Sequence, residues 1–172
     1  MKNRENICIW LFDKSKTPYA KYFKSNAAWN LTRTDLISFP TNTLGYELGY
    51  FLTANNYHLI PKLEKHDAYH VITEYGTSVK DEIALQYFFL GNKKRSAYLF
   101  GVIIIGAILL PENITHYYKA YLHGKRSTPF HKWNIRELLN QPLNNIRNAV
   151  FKNETVQPAT INLTHTTSNI LN

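Results

Sequence analysis

The chain has little cysteine: Cys8 is alone among 172 residues, so an intrachain disulfide is excluded and a reducing compartment fits. A long hydrophobic run is lacking too, because residues 99–110 make only twelve, whereas a membrane-spanning helix needs about twenty. Residues 1–25 carry charges throughout, so we expect no signal or transit peptide and a bacterial cytoplasmic location. Alternating strand patterns, internal repeats and glycine-rich phosphate loops are also lacking, which favours a mostly helical protein.

Acidic residues are scarce in the second half of the chain, and the formal net charge is +8. Residues 1–92 hold ten basic and nine acidic side chains, whereas residues 93–172 hold ten basic and three acidic ones. A basic half favours anionic partners such as lipid headgroups, phosphates or carboxylate substrates, although a solvated face without a partner fits as well. No nucleic-acid-binding motif accompanies the charge, so we expect no nucleic acid partner.

The patterns predict an all-α fold: a single compact multi-helix domain over residues 1–151, then a flexible tail over residues 152–172. The aromatic content of 14% suits either a wide core, the more common use, or an apolar channel. Residues 99–110 favour a fully buried helix, with an isoprenoid-lined groove or a shallow membrane contact as the alternative. Residues 7–12 are too short a run to assign. The remaining helix signals are an aromatic segment at 17–29, caps at Thr43 and Ser78, a helix end at Gly124 and Pro142 before a last helix.

Four metal-capable side chains follow one another within residues 66–82: His66, Asp67, His70 and Glu82. In a helix over residues 66–73, His66 and His70 share a face and Asp67 lies at its edge. A turn at residues 75–78 would let a second helix fold back and bring Glu82 towards them. Two imidazoles and two carboxylates suit zinc, and also iron or manganese, and ligand type alone does not separate these metals.

Simpler interpretations of these residues stay open. A histidine pair at helical spacing is frequent by chance, Asp67 also suits the start of a helix, and Glu82 also suits an ion pair with Lys80. The pattern is similar to the His-Glu-x-x-His pair of zinc proteases. Asp67, however, is one methylene shorter than the usual general base, which argues against a protease.

The spacing His-Asp-x-x-His-x11-Glu, carried by His66, Asp67, His70 and Glu82, resembles the motif of the coenzyme Q (ubiquinone) biosynthesis protein 4 family. Weaker landmarks occur in the family's order between about residues 38 and 150. They are residues 40–45, 75–77, 84–88, 124–126, Trp133, 142–143 and Arg147.

Two positions depart from the family pattern. Glu74 stands where the family usually has glycine, and Asn134 stands where it usually has an acidic residue. Neither is one of the four proposed ligands, so the departures bear on substrate and subfamily rather than on the metal site.

The resemblance implies a role in ubiquinone assembly, with a metal, an apolar tunnel and a headgroup pocket. It implies that the motif holds a divalent metal, zinc first, with iron, manganese and magnesium open, and that Asp67 and Glu82 are catalytic. Tunnel candidates are residues 99–110 and the aromatics of residues 46–57. Candidates for contact with substrate or lipid are Phe100, Ile104, Lys125 and Arg126. Lys125 and Arg126 could neutralise a carboxylate or phosphate, although as loop residues they could equally be only solvated.

Two functions stay open. The first is an enzyme that takes part in oxidative decarboxylation of a polyprenyl hydroxybenzoate; the second is a non-catalytic, lipid-binding scaffold of a quinone-biosynthesis complex with a structural metal. Predicted partners are an isoprenoid or quinone precursor, other quinone-biosynthesis proteins and a second copy in a homodimer. An anionic membrane surface is also predicted, met by the basic triplet at residues 93–95, which would place the protein peripherally on the inner face of the membrane.

Overall fold

The structure is a computed structural model that describes residues 3–11, 14 and 27–151. No strand occurs in those ranges, so the all-α prediction is confirmed. The predicted tail at 152–172 and most of the aromatic segment at 17–29 lie outside the described residues. The α-helices are α1 (residues 3–11), α2 (Arg33–Ile37), α3 (Leu44–Ala54), α4 (Glu64–Thr73), α5 (Val79–Gly91), α6 (Ala97–Leu109), α7 (Ile114–Arg126) and α8 (Leu143–Phe151), with short 3-10 helices at Pro111–Asn113 and Ile135–Leu138.

Local caps set the starts of two helices that matter for the site. The Thr43 hydroxyl accepts a hydrogen bond from the Tyr46 N–H and begins α3, and the Ser78 hydroxyl accepts one from the Asp81 N–H and begins α5. Each hydroxyl satisfies a backbone donor that the helix itself leaves without a partner. Both caps were expected from the sequence and are confirmed.

The core forms around α5, which packs along α7 on one side and against α6 on another. Phe88, Phe89 and Phe130 are fully buried there and contact one another with ring centroids between 5.4 and 6.2 Å apart. Helix α4 packs on α3 and α8. The short segment between α4 and α5 therefore joins two helices that are each fixed by other parts of the core.

Gly124 does not end a helix as predicted. Helix α7 continues to Arg126, and Ser127 is its C-cap. Gly124 lies inside the helix where α7 crosses α5, and a Cβ atom there would come 1.9 Å from the Phe88 carbonyl oxygen. The glycine therefore serves the close approach of two helices rather than a helix end, a requirement that depends on long-range packing.

The prediction that residues 99–110 are fully buried is wrong. Helix α6 buries Leu99, Val102 and Gly106, and the Gly106 position lies against Ile83 of α5. Its outer face stays open, because α6 packs mainly on α5 and meets only one side of it. That face carries Phe100, Ile104 and Ile108, which are 42%, 57% and 70% exposed.

Across the described residues, no single helix has both the length and the apolar character needed to cross a bilayer. Helix α6 and the segment Pro111–Arg126 meet those criteria only as a pair, and the pair is bent by 106°.

Candidate metal centre

Two neighbouring helices supply the side chains of the site. His66 and His70 lie one turn apart on α4, and their rings meet edge to face with centroids 4.7 Å apart. Glu82 lies in the first turn of α5, which the Ser78 cap begins. The fold-back of α5 on α4 that the sequence predicts is therefore present, and it places the carboxylate beside both imidazoles.

Three potential ligand atoms converge. His66 Nε2 lies 3.1 Å from Glu82 Oε2, and His70 Nε2 lies 3.4 Å from Glu82 Oε1. The two Nε2 atoms are themselves 3.2 Å apart. One donor atom from each of the three residues falls within 4.8 Å of the others, which is close enough to share one ion.

A backbone carbonyl orients the more buried histidine. His70 Nδ1 lies 3.0 Å from the Tyr75 carbonyl oxygen, which can only accept, so Nδ1 carries a proton and donates it. In the neutral ring, Nε2 then presents its lone pair to Glu82 and His66. Phe51 stacks on the same ring with centroids 5.8 Å apart and further fixes its orientation. Such an outer hydrogen bond is the usual support of a metal-bound histidine.

Burial and mutual charge set the protonation of the three groups. Burial lowers the pKa of His66, because desolvation outweighs the attraction of Glu82. Burial acts against a charged His70 as well, but hydrogen bonding to Glu82 and its charge prevail and raise the pKa of His70. Burial acts to raise the pKa of Glu82, yet the two imidazoles hold it well below its usual range, so the carboxylate is ionised.

The donor set fits a divalent metal ion. Two imidazole nitrogens that face each other at 3.2 Å can share only one proton, and an ionised carboxylate faces both of them. Three Lewis bases aimed at one point suit zinc, and equally iron or manganese. Of the described residues, His66, His70 and Glu82 form a group of this kind; we call them the triad.

Asp67, the fourth predicted ligand, lies outside the triad. It follows His66 on α4, is half-buried and lines the same cavity. Its negative charge acts to raise the pKa of His70, after the larger contributions of burial, Glu82 and the Tyr75 carbonyl. Direct ligation by Asp67 stays a prediction.

The triad opens on a cavity of about 560 Å³. Phe51 and Tyr57, two aromatics predicted for a tunnel, are in its wall, together with Tyr98 and Val102 of α6. A volume of this size is typical of small-molecule sites. The other lining residues are Ile9, Asn56, His58, Ile60, Leu63, Asp67, Tyr69, Thr77, Val79, Gln86 and Lys94.

Two polar residues of this wall were missed at the level of sequence. Gln86 lies one turn after Glu82 on α5 and is buried, so the same four-residue spacing that relates the histidines would have revealed it. Lys94 belongs to the basic triplet that the sequence assigns to a membrane surface. Its place in the cavity wall depends on how the chain turns after α5, which has no local signal.

The four predicted substrate or lipid residues lie elsewhere. Lys125 and Arg126 are exposed at the end of α7, and Phe100 and Ile104 are on the outer face of α6. None of them lines the cavity beside the triad. Their contact with a substrate or lipid stays a prediction, and for Phe100 and Ile104 it would be a surface contact.

Comparison with known proteins places the chain in a family. The family described as coenzyme Q (ubiquinone) biosynthesis protein Coq4 matches residues 57–153, more than half of the chain. No curated protein matches the sequence. A crystal structure from Nostoc punctiforme PCC 73102, of a protein provisionally assigned to ubiquinone biosynthesis, is similar in fold, with a TM-score of 0.56, 24% sequence identity, and coverage of 87% of this chain and 82% of that one. The chain, with its triad inside the matched segment, thus belongs to the coenzyme Q (ubiquinone) biosynthesis protein Coq4 family.

Proposed function

We propose that this protein binds a divalent metal at the triad and acts in ubiquinone biosynthesis on a polyprenyl hydroxybenzoate intermediate, in the step that removes the ring carboxylate. The observation that carries the proposal is a three-ligand donor set at the wall of a largely apolar cavity. Membership of the family supports the pathway. The access of the triad to the cavity supports metal-assisted removal of the ring carboxylate.

The number of converging ligands favours an enzyme over a structural metal site. Structural zinc is closed by four protein ligands, whereas catalytic zinc keeps three and leaves one position open. The triad supplies three atoms, and the cavity reaches His66, His70 and Glu82. A carboxylate of the substrate would have access from the cavity side.

His66, His70 and Glu82 would hold a divalent ion, whose positive charge would bind and orient the ring carboxylate of the substrate. The bond between the ring carbon and the carboxyl carbon breaks, its electron pair stays on the ring, and the ring carbon takes up a proton. Asp67 is the acidic group of the wall that is outside the triad, and we assign it to that proton transfer. Replacement of the carboxylate by a hydroxyl group also removes two electrons from the substrate. It would need dioxygen as the oxidant and a redox-active ion such as iron to mediate the electron transfer, which zinc cannot do.

The apolar part of the cavity supports a prenylated substrate. Phe51, Ile60 and Val102 line it, and a headgroup with the first isoprenoid units falls within the size range of such sites. A longer chain would have to leave the cavity. Helix α6 offers a route, because the helix that lines the cavity through Val102 also carries the exposed Ile104.

The exposed face of α6 also supports contact with an anionic membrane surface, since it is apolar and Lys93 and Arg95 are exposed at its start. The alternative function is a lipid-binding scaffold for other quinone-biosynthesis proteins. A second surface could bind such a protein, or a second copy of this chain in a homodimer. This is an apolar groove of about 500 Å³ between α5 and α7, where Ile114 and Tyr118 are exposed.

Elemental analysis of purified variants tests the metal site. We expect about one equivalent of a divalent metal in the wild type and clear loss in His66→Ala and Glu82→Ala, because each removes one of three ligands. His58→Ala is the matched control, since His58 lines the same cavity outside the triad. Metal retained in both triad variants would refute the site.

Genetics separates the enzyme from the scaffold. A host strain that lacks this protein should accumulate a carboxylated, prenylated intermediate, detectable by mass spectrometry. Asp67→Ala should give the same accumulation while keeping its metal, because we place Asp67 in the proton transfer rather than in the triad. Full restoration of quinone by Asp67→Ala would favour the scaffold, and normal quinone in the deletion strain would remove the pathway.

A further inference from the structure

We propose that Gln86 binds a hydroxyl group on the ring of the ligand in the cavity and so selects a hydroxylated aromatic acid over the same acid without that group. The inference rests on the proposed function, because it names a residue that recognises the substrate of that same site. The observation that carries it is a buried side-chain amide that lines the cavity beside the triad and makes no hydrogen bond to any described residue.

Helix α5 places Gln86 on the face that carries Glu82. The two residues are four apart, so their side chains leave the helix one turn apart on the same side. The helix is held on other faces by α7 and α6, and Phe88 and Phe89 of its next turn are buried in the core. The place of the amide relative to the triad is therefore set by a packed helix rather than by a loop.

The Gln86 amide lacks the partners that a buried amide normally has. The residue is only 5% exposed, yet within the described part of the chain its carboxamide has no hydrogen-bond partner. It is not among the unpartnered polar atoms of those residues that are sealed from open space, so it keeps contact with such space, and the cavity supplies it. Because nearly all buried polar groups are hydrogen-bonded, the amide indicates a partner that arrives with the ligand.

A ring hydroxyl matches the amide in both hydrogen-bonding roles. The carboxamide offers N–H donors and a carbonyl acceptor, and a phenol can both donate and accept. One helical turn, about 5.4 Å, is close to the span of a benzoate from its carboxyl carbon to a para oxygen. A ligand whose carboxylate lies at the triad would therefore bring a para hydroxyl towards Gln86. An analogue without the hydroxyl would leave the buried amide unpaired, which a site of this kind discriminates against.

A binding comparison tests the inference on the purified, metal-loaded protein. The probes are 3-prenyl-4-hydroxybenzoate and 3-prenylbenzoate, which share the carboxylate and the prenyl group, and Kd is measured by isothermal titration. We expect the wild type to bind the hydroxylated acid about tenfold more tightly than the other, because one hydrogen bond is made and no amide is left unpaired. Gln86→Met, of similar length, should bring the two Kd values to within about twofold. Gln141→Met, the same change at an exposed glutamine outside the cavity, should behave as the wild type.

Four other results would overturn the inference. If the wild type binds the two acids equally, water rather than the ligand satisfies the amide, and the proposed function still stands. If Gln86→Met weakens both acids equally, the residue only supports the wall. If Gln86→Met loses its metal while Gln141→Met keeps it, Gln86 belongs with the metal ligands. If the wild type binds neither acid, the substrate class of the proposed function falls together with the role of Gln86. The comparison of the two acids on the wild type needs no variant, so it decides even where Gln86→Met does not fold.

Discussion

The close crossing of α5 and α7 depends on Gly124, so Gly→Ala there and at Gly101 should have opposite effects on stability. At Gly124, an added Cβ would meet the Phe88 carbonyl oxygen at 1.9 Å and its carbonyl carbon at 2.7 Å. At Gly101 on α6, an added Cβ would have no atom of the described residues within 4 Å. Both glycines are inside helices, so Gly→Ala brings the same gain in helix propensity at each.

The magnitudes follow from that difference. Gly101→Ala should stabilise the protein by about 0.5–1 kcal/mol, the propensity term alone. Gly124→Ala forces two backbones apart, because a carbonyl cannot rotate away as a side chain does. Overpacking of this kind costs about 1–3 kcal/mol and occasionally more. Because the clash is with backbone at 1.9 Å, we place the cost at the upper end of that range, about 3 kcal/mol. After the propensity gain of about 1 kcal/mol, we expect a net loss of roughly 2 kcal/mol, which lowers Tm by about 4–8 °C in a chain of this size.

Thermal unfolding followed by circular dichroism measures both variants. Gly101→Ala should raise Tm by about 1–4 °C at the same scaling, so the two curves should lie on opposite sides of the wild type. A Gly124→Ala protein as stable as Gly101→Ala would mean that α5 and α7 do not approach as closely as described. The packing argument would then fail, whatever the metal content.

Two further predictions concern the turn after α4 and the outer face of α6. In urea unfolding, Glu74→Gly should be more stable than Glu74→Ala by about 1 kcal/mol. Both variants lose the ion pair with Arg147, but only glycine adopts the φ of 61° without strain. Equal stabilities would contradict backbone strain at this position. The double variant Ile104→Ser, Ile108→Ser should bind anionic vesicles more weakly in flotation assays while its Tm stays the same. Tyr118→Ser, at an exposed position of α7, should bind the vesicles as the wild type does. Wild-type binding by the double variant would contradict the membrane contact of α6.

Local patterns predicted the parts of the site that depend on neighbours in sequence. The four-residue spacing of His66 and His70 fixes a shared helix face, and the Ser78 cap fixes where α5 begins. Together they bring Glu82 back to the histidines. The same logic missed α2, although Thr32 and Asp35 form a capping box that could have indicated it.

Features set by distant parts of the chain could not be predicted in this way. The inward position of Lys94 depends on a left-handed turn and on rings from α4 and α5. The exposure of Ile104 depends on which faces of α6 find a partner, and a helix that is apolar on all sides does not reveal its open face. Glycine is common at helix ends, but Gly124 lies inside α7 and permits its close packing on α5.

The departure at Glu74 shows how distant packing supports the ligands. Glu74 ends α4 in a left-handed conformation, where glycine is the residue without strain, and the next carbonyl, that of Tyr75, accepts from His70. Arg147 of α8 donates to the Val71 carbonyl at 2.7 Å and pairs with Glu74 at 2.8 Å, so it contacts two residues of the last turn of α4. The orientation of the His70 lone pair therefore depends on a residue of the last helix. The ion pair between Glu74 and Arg147 of α8 offsets the backbone strain at this position, and glycine, which has no side chain, could not form it.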